Sequence, residues 1–511
     1  MNYQQGKSRE QMSMMALESE ISADNPVRVI DLFVDQLDLS KLGFNKTSFK
    51  SEGRPPYHAA DMLKLYYYGY LNRIRSSRKL EAECKRNIEV WWLLHELKPG
   101  YHSIADFRKD NGDALKQAFK MFVSFLKGED MLSKELIVVD GTKVRAQNSN
   151  KNNFNETRLK KHLAYIENKA EAYIKELNDY DAAEDKQASE LKAKEVNQKL
   201  DILKQRKEKY EQLQKKLTES GETQISTTDA ESRSLKIKDN IAEISYNIQS
   251  VTDSKHSLIV EFDTINENDQ NQLSNMAGKA MEALQVKQIT AMTDKGYHVG
   301  KQLQLCKEQG VTTLVSYIDR NPRSKHIDPA YQTDQFIYDA TNDTYTCPQG
   351  ATLTTNGKYY EKIRRSRTTY FIKKYNTQQC LNCPVKKLCT RAQRTRQIER
   401  SQYQEVIDEN NKRVNANAML CKKRQQIVEH PFGTIKRGWG YNYTLLRSIK
   451  KVNGEVAIIF TMYNLRRAIS ILGVTKLLSI LKKWKPIFDS LKSSLIKALF
   501  AKPNIETYLA T

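Results

Sequence analysis

Hydrophobic positions divide the chain into segments of different period. From Val27 to about Leu132 apolar residues recur at helical spacing. Ala59, Met62, Leu63, Tyr66 and Tyr67 share one face, and Pro55-Pro56 marks the start of that helix. Ser76-Ser77 reads as a turn and N-cap before RKLEAECKR. Ser103, with Asp106 three residues on, reads as the capped start of another helix. The period then changes. Glu135–Val139 (ELIVV) is a continuous apolar run, which predicts a buried strand ending at Asp140-Gly141-Thr142. Residues 156–220 are rich in Lys, Glu, Ala, Leu and Gln and hold no Gly or Pro. Leu163, Ile166, Ala170, Tyr173 and Leu177 form one stripe there. Val196, Leu200, Leu203, Tyr210 and Leu217 form another. With NDYDAAED (178–185) as hinge, the pattern predicts a helical hairpin or coiled coil whose charges form a solvated face. SLIVEF (257–262) and QITAMT (288–293) read as strands, and Val299–Gln309 as a helix. Short Tyr/Thr/Ile/Phe-rich pieces with Gly turns over 335–375 predict a small β subdomain. Helical spacing returns from Asn415 to Ile471, and the tail from Val474 to Phe500 is basic and amphipathic.

The pattern gives a mixed α+β chain. Residues 1–25 are polar and expected to be mobile. Residues 26–132 form a helical N-terminal domain. A sheet-containing core starts over 133–155 and resumes over 221–330, with the hairpin 156–220 inserted between. The small β subdomain occupies 331–400, the last helical part of the core 401–472, and the basic tail 473–511.

Charge sharpens the picture. The 511 residues carry 83 Lys+Arg against 61 Asp+Glu, a net +22. Residues 351–450 alone hold 22 Lys/Arg and 6 Asp/Glu, a net +16. That segment has scattered Arg, Tyr, Thr and Cys rather than a continuous apolar face, which favours a nucleic-acid phosphate backbone over a membrane surface. Arg73, Arg75, Arg78, Lys79, Lys85 and Arg86 could dock the helical domain on DNA, or be ordinary surface charge on a packing domain. Low Gly (20) and Pro (11) exclude a collagen-like or low-complexity chain. No window of 18 uncharged apolar residues is present, and the first residues lack a signal-peptide h-region. Seven cysteines, an odd count, argue against a secreted disulfide framework, so the expected compartment is a reducing cytoplasm.

Three carboxylates are singled out. Asp140 and Asp294 each follow a hydrophobic run and lead into a Gly-containing turn, where open α/β sheets place their sites. Glu429 lies in a helical stretch, QQIVEHPFG, inside the most basic region. Convergent carboxylates repel one another unless a cation is bound, and Mg²⁺ suits oxygen ligands. Such a site could hold two ions about 3.5–4 Å apart for phosphodiester chemistry. Spacing alone leaves Asp229, Asp253, Asp263 and Asp269 as alternatives, and a turn cap or surface carboxylate as the plain reading. Cys347, Cys380, Cys383 and Cys389 could hold one structural Zn²⁺, although C-x2-C followed by C-x5-C departs from a double C-x2-C ribbon. Trp439, Tyr441 and Tyr443 follow Lys436-Arg437 and could stack on unpaired bases or pack a helix end.

At these residues the sequence resembles bacterial insertion-sequence transposases of the DDE class, most closely the insertion-sequence 1182 family. The similar pieces are VVDGTKVRAQNS (138–149), STTDAESR (226–233), TDKGY (293–297), VEHPFGTIKR (428–437) and a closing KV..E with YNLRR (463–467). SRKLEAEC (77–84) and HSIADFRKDN (102–111) resemble the family's N-terminal helical domain. The resemblance implies an RNase H-like core, a catalytic triad of Asp140, Asp294 and Glu429, and two Mg²⁺ (or Mn²⁺) ions. It implies Lys436, the Lys of the family's E-x6-K, as a DNA contact, joined by Arg437, Arg424 and Lys143. Relatives carry a Tyr and an Arg seven and four residues before the Glu. Lys422 and Gln425 stand there in this chain, with Arg424 one residue off. The implied partners are double-stranded DNA, as element ends and target, and a second copy in a homodimer or larger assembly. The implied place is the bacterial nucleoid, with no membrane. A non-catalytic DNA-binding protein derived from a transposase is the alternative, and a general metal-dependent nuclease a third.

Overall fold

A computed structural model describes residues 8–12, 14–47, 55–181, 186–238, 241–317, 327–363 and 369–488. The chain begins with helices α1 (Leu17–Glu20), α2 (Pro26–Asp35), α3 (Ala59–Leu71), α4 (Ser77–Arg86), α5 (Ile88–Leu94), α6 (Tyr101–Asp110) and α7 (Gly112–Gly128). Packing starts within the stretch expected to be mobile: Ile21 is buried, and Arg28 holds Glu18 at 2.7 Å. Pro26 opens α2 with its fixed φ, and the Asn25 side chain caps it. α6 starts at Tyr101, not at Ser103. Pro99-Gly100 already breaks the preceding chain, so Ser103 falls inside the helix and makes no cap.

β1 (Leu136–Arg145) runs through Asp140 instead of ending there. After it, β2 (Asn153–Asn155) and β3 (Gln224–Ser226) pair antiparallel at the base of α8 (Glu156–Asp181) and α9 (Lys186–Ser220). These two helices run antiparallel: His162 stacks on Tyr210 at 4.9 Å and Lys207 pairs with Glu167 at 3.2 Å. Ile166, Val196, Leu203 and Leu217 of the two stripes are buried. Part of the expected hinge, 182–185, lies outside the described residues.

The core then adds β4 (Arg233–Lys238), β5 (Ile241–Asp253), β6 (Ile259–Ile265), α10 (Leu273–Leu284), β7 (Ile289–Thr293), α11 (Gly300–Glu308) and β8 (Val311–Val315). β5 is antiparallel to β1 along one edge and to β4 and β6 along the other. β7 is parallel to β1, and β8 to β7. β5 is invisible to hydropathy because Ser245, Asn247, Gln249, Ser250 and Thr252 are as buried as its apolar residues.

A second sheet holds β9 (Ile337–Asp339), β10 (Thr344–Thr346), β11 (Thr352–Thr355), β12 (Tyr360–Ile363), β13 (Thr369–Asn376) and, after α12 (Lys386–Cys389), β14 (Ile398–Ser401). Its strands pair antiparallel around a core of Phe336, Tyr345, Leu353, Tyr375 and Ile398.

α13 (Gln404–Ala416), α14 (Ala418–Phe432), α15 (Ile449–Leu472) and α16 (Val474–Lys483) complete the described chain. The helical stretch expected from Asn415 to Ile471 is therefore broken over 439–448. The expected tail to Phe500 continues past residue 488, outside the described residues. α15 is buried nearly all round, including Val452, Ile458, Phe460, Met462 and Leu465. Gly454 lies against Gly112 of α7, where a Cβ would stand 2.6 Å from the Gly112 Cα, so only glycine permits that crossing. One hydrophobic cluster joins the N-terminal helices, one face of the large sheet and α15. A second, of Val138, Met292, Leu314 and Val428, seats α14 on the opposite face. Among the described residues no single helix is long and apolar enough to cross a membrane.

Candidate active site

Two carboxylates meet where β1 and β7 part. The parallel ladder ends at Val138–Met292. Two residues on stand Asp140 and Asp294, near enough for the Asp294 charge to act on Asp140. Burial first, and then Asp294, pushes the Asp140 carboxyl up to about 6; the Gly141 N–H and Arg424 pull the other way. The Arg424 guanidinium stands 3.9 Å from Asp140 Oδ2. Asp294 caps a short turn, Lys295–Tyr297, and its Oδ1 accepts the Gly296 N–H at 2.8 Å.

α14 brings Arg424 and Glu429 to this face through Val428. Glu429 itself is exposed, and its Oε1 accepts from Gln425 Nε2 at 2.7 Å. This i, i+4 bond holds the carboxylate along its own helix. Pro431 removes a helical donor, and Gly433–Gly438 then widen into a π turn. That turn aims Lys436 back at β1. Its Nζ donates to Thr142 Oγ1 (3.1 Å) and the Lys143 carbonyl (2.9 Å). Burial, and then Lys143, lowers the Lys436 ammonium pKa. Lys143 is itself held by Asp269 at 2.7 Å, and Arg437 is exposed.

The site therefore assembles Asp140, Asp294, Arg424, Lys143 and Lys436, with Glu429 on the same helix but turned to Gln425. Two neighbouring carboxylates, one pushed up by burial and then by the other, suit a cation that prefers oxygen donors. Yet among the described residues no three His, Cys, Asp or Glu side chains stand close enough together to hold a metal. The four cysteines follow the same rule. Cys347 and Cys389 both pack on the small-sheet core. Burial, and then the neighbouring Cys380, Cys347 and Cys383, push the Cys389 thiol up, while Arg396 opposes them. The thiols gather without reaching ligand spacing.

Several sequence readings change. Trp439 and Tyr441 are buried, so they pack the core and do not face bases. Arg75 is also buried, sandwiched at 4.4 Å from the Tyr441 ring and 4.5 Å from the Tyr443 ring. Asp229 receives Tyr246 Oη (2.7 Å) and the Ser448 N–H (3.1 Å), so it supports the start of α15. Asp253 is a turn anchor for Ser133 and Lys255, and Asp263 is held by Lys116 and Lys279. Asp269 is the residue that sequence spacing did not single out from the alternatives. Its charge also raises Asp140, after burial and Asp294.

The described chain thus carries an acidic pair on a mixed sheet beside a basic helix, and comparisons with known proteins support a transposase. Residues 15–110 match the family model of a transposase domain (DUF772), and residues 346–469 that of a transposase DDE domain. The second match includes Glu429 and Lys436; Asp140 and Asp294 lie outside both. A synaptic complex of piggyBac transposase with hairpin DNA is similar at 8% identity over 94% of this chain and 83% of that one, with a TM-score of 0.27, too low to assign a shared fold. No curated protein matches the chain.

Proposed function

We propose that this protein is a DDE transposase that binds its element's terminal repeats and cuts and rejoins DNA there, with Asp140, Asp294 and Glu429 as its acidic triad. The large sheet is read as an RNase H-like core: an antiparallel β1-β5-β6 unit extended by parallel β7 and β8. The observation that carries the reading is the pairing of Asp140 with Asp294 under a helix that bears Arg424 and Glu429, in a chain with two transposase-domain matches. Mg²⁺ (or Mn²⁺) held by the triad would activate water or a 3′-hydroxyl and stabilise the leaving oxygen. The chain's own groups do the rest. Glu429 would give up the Gln425 amide to share the bound cation with the two aspartates. Arg424 offsets the charge of Asp140 while the site waits for DNA. Lys436, anchored on β1, fixes the turn from which Arg437 meets the phosphate backbone. Two element ends have to be joined, so a homodimer or larger assembly on double-stranded DNA is part of the reading.

The test is cleavage with Mg²⁺ of DNA carrying the element's own ends, beside scrambled DNA, by wild type and Glu429→Gln. End-specific cutting that the variant loses is the expected result. The second reading is a non-catalytic DNA binder, and the Glu429–Gln425 bond favours it. Tight end binding with no cutting by either protein would establish that instead.

A structural zinc on Cys347, Cys380, Cys383 and Cys389 belongs to the same reading: the thiols are neighbours that a bound ion would draw in to ligand spacing, and five buried residues make a thin core for the small subdomain. Protein purified without chelator is expected to contain about one zinc per chain, with four tetrahedral thiolate ligands. Zinc-free protein with an intact small subdomain would exclude it.

A further inference from the structure

The β1-β7 ladder stops short of the two aspartates, so backbone pairing does not fix their separation. A polar network beneath Gly141, buried at its amides and half-buried at its charged end, spans that gap. Asp269 lies in a short turn, Asp269–Asn271, after β6. Its Oδ1 accepts from Asn247 Nδ2 (2.8 Å) and Gln249 Nε2 (2.7 Å), and its Oδ2 from Lys143 Nζ (2.7 Å). Gln249 Oε1 accepts from Tyr297 Oη at 2.6 Å. Lys143 is three residues beyond Asp140 on β1, and Tyr297 ends the turn that Asp294 caps. The network therefore runs unbroken from the strand of one carboxylate to the turn of the other.

Its placement is tight. Asn247, Gln249 and Tyr297 are fully buried. A Cβ on Gly141 would stand 2.2 Å from Asp269 Oδ1 and 2.3 Å from Gln249 Nε2, so the strand passes over the network as bare backbone. Apolar side chains would hold β1 and β5 together equally well, without the cost of burying amides and a carboxylate. What directional bonds add is a fixed distance.

We propose that Asp269 is a positioning residue: acting through Gln249 and Tyr297, it sets the separation of the Asp140 and Asp294 carboxylates. The inference rests on the reading of those two as the working pair. Asp269 touches neither DNA nor a reacting atom in this role. Its effect passes through the Tyr297 hydroxyl, which is also the part most easily removed.

The test uses the full chain. Tyr297→Phe removes one hydroxyl and keeps the ring. In metal-free protein, the Gly296 amide, bonded to Asp294, is expected to exchange with deuterium about tenfold faster, because the turn is no longer tied to β5. Mn²⁺ binding by calorimetry is expected to weaken about tenfold, and kcat to fall by a similar factor, with KM for DNA within about twofold. Asp269→Asn, which keeps the acceptor for both amides and loses the charge facing Lys143, is expected to act in the same direction. A merely structural role would lower the melting temperature and leave Mn²⁺ affinity unmoved. Wild-type exchange, Mn²⁺ affinity and kcat in both variants would overturn the proposal while Asp294→Asn remains inactive. Wild-type cleavage by Asp294→Asn would instead overturn the reading on which the proposal rests.

Discussion

Asp140→Asn and Asp294→Asn are each expected to lose DNA strand cleavage by about 10⁴–10⁶-fold, the scale on which removing one member of a catalytic unit acts. DNA binding is expected to change by less than about threefold, because Lys and Arg contacts along the phosphate backbone supply most of it. Stability separates this loss from unfolding. In the absence of divalent cations the Asp294 charge works against the Asp140 charge, and burial denies Asp140 water's screening. Asp140→Asn removes that repulsion and keeps an acceptor for the Gly141 N–H, 2.8 Å away in the wild type. Its melting temperature in chelator is therefore expected to equal or exceed that of wild type. Mg²⁺ or Mn²⁺ should then raise the melting temperature of wild type and not that of either variant, since a ligand stabilises only the state that binds it. Wild-type cleavage by Asp140→Asn, or a large drop in its melting temperature, would remove Asp140 from the site.

The legible part of this molecule is the part written in apolar period. ELIVV and QITAMT report β1 and β7 because their residues face two buried surfaces, and the stripes of 156–220 report α8 and α9. The illegible part is written in polar residues that the fold buries. β5 is the central antiparallel strand, yet Asn247, Gln249, Ser250 and Thr252 give it a loop-like composition. For the same reason Asp269 had no mark to lift it above the other acids: its partners are an amide pair from β5 and a lysine from β1, and only tertiary pairing brings them together. Asp140 and Asp294 could be found because each follows an apolar run. Glu429 is marked by a helical stretch in the most basic region and then by resemblance to a motif, and its carboxylate is the one turned elsewhere. Aromatic-cation sequences misled in the opposite way. Trp439, Tyr441 and Arg75 have the composition of a nucleic-acid surface and the burial of a core.

Arg75→Ala is expected to destabilise the protein by about 3–5 kcal/mol, the cost of stranding a buried charge by removing its partner. Arg75 Nη1 donates to the Tyr443 carbonyl at 2.8 Å and stands 3.4 Å from Glu455 Oε1. Glu455 is 1% exposed, and its other oxygen accepts the Leu445 and Leu446 N–H groups. Without Arg75 that carboxylate keeps its two amides but loses its bonded cation, and the two tyrosine rings lose the cation between them. The consequence reaches the site. Tyr443 and its neighbours pair with Arg145 at the end of β1, through Arg145 N–H to the Asn442 carbonyl (3.1 Å) and Thr444 N–H to the Arg145 carbonyl (2.8 Å). This segment follows the turn that carries Lys436. Loosening it frees Lys436 from β1, so cleavage is expected to fall even at temperatures where the variant remains folded. The urea midpoint checks the first effect, and a double variant checks its cause. Adding Glu455→Gln to Arg75→Ala should cost less than the sum of the two single changes, because the second removes the charge that the first leaves unpaired. A DNA-docking arginine would behave differently: its loss would lower affinity and the salt dependence of binding, and leave the urea midpoint where it was.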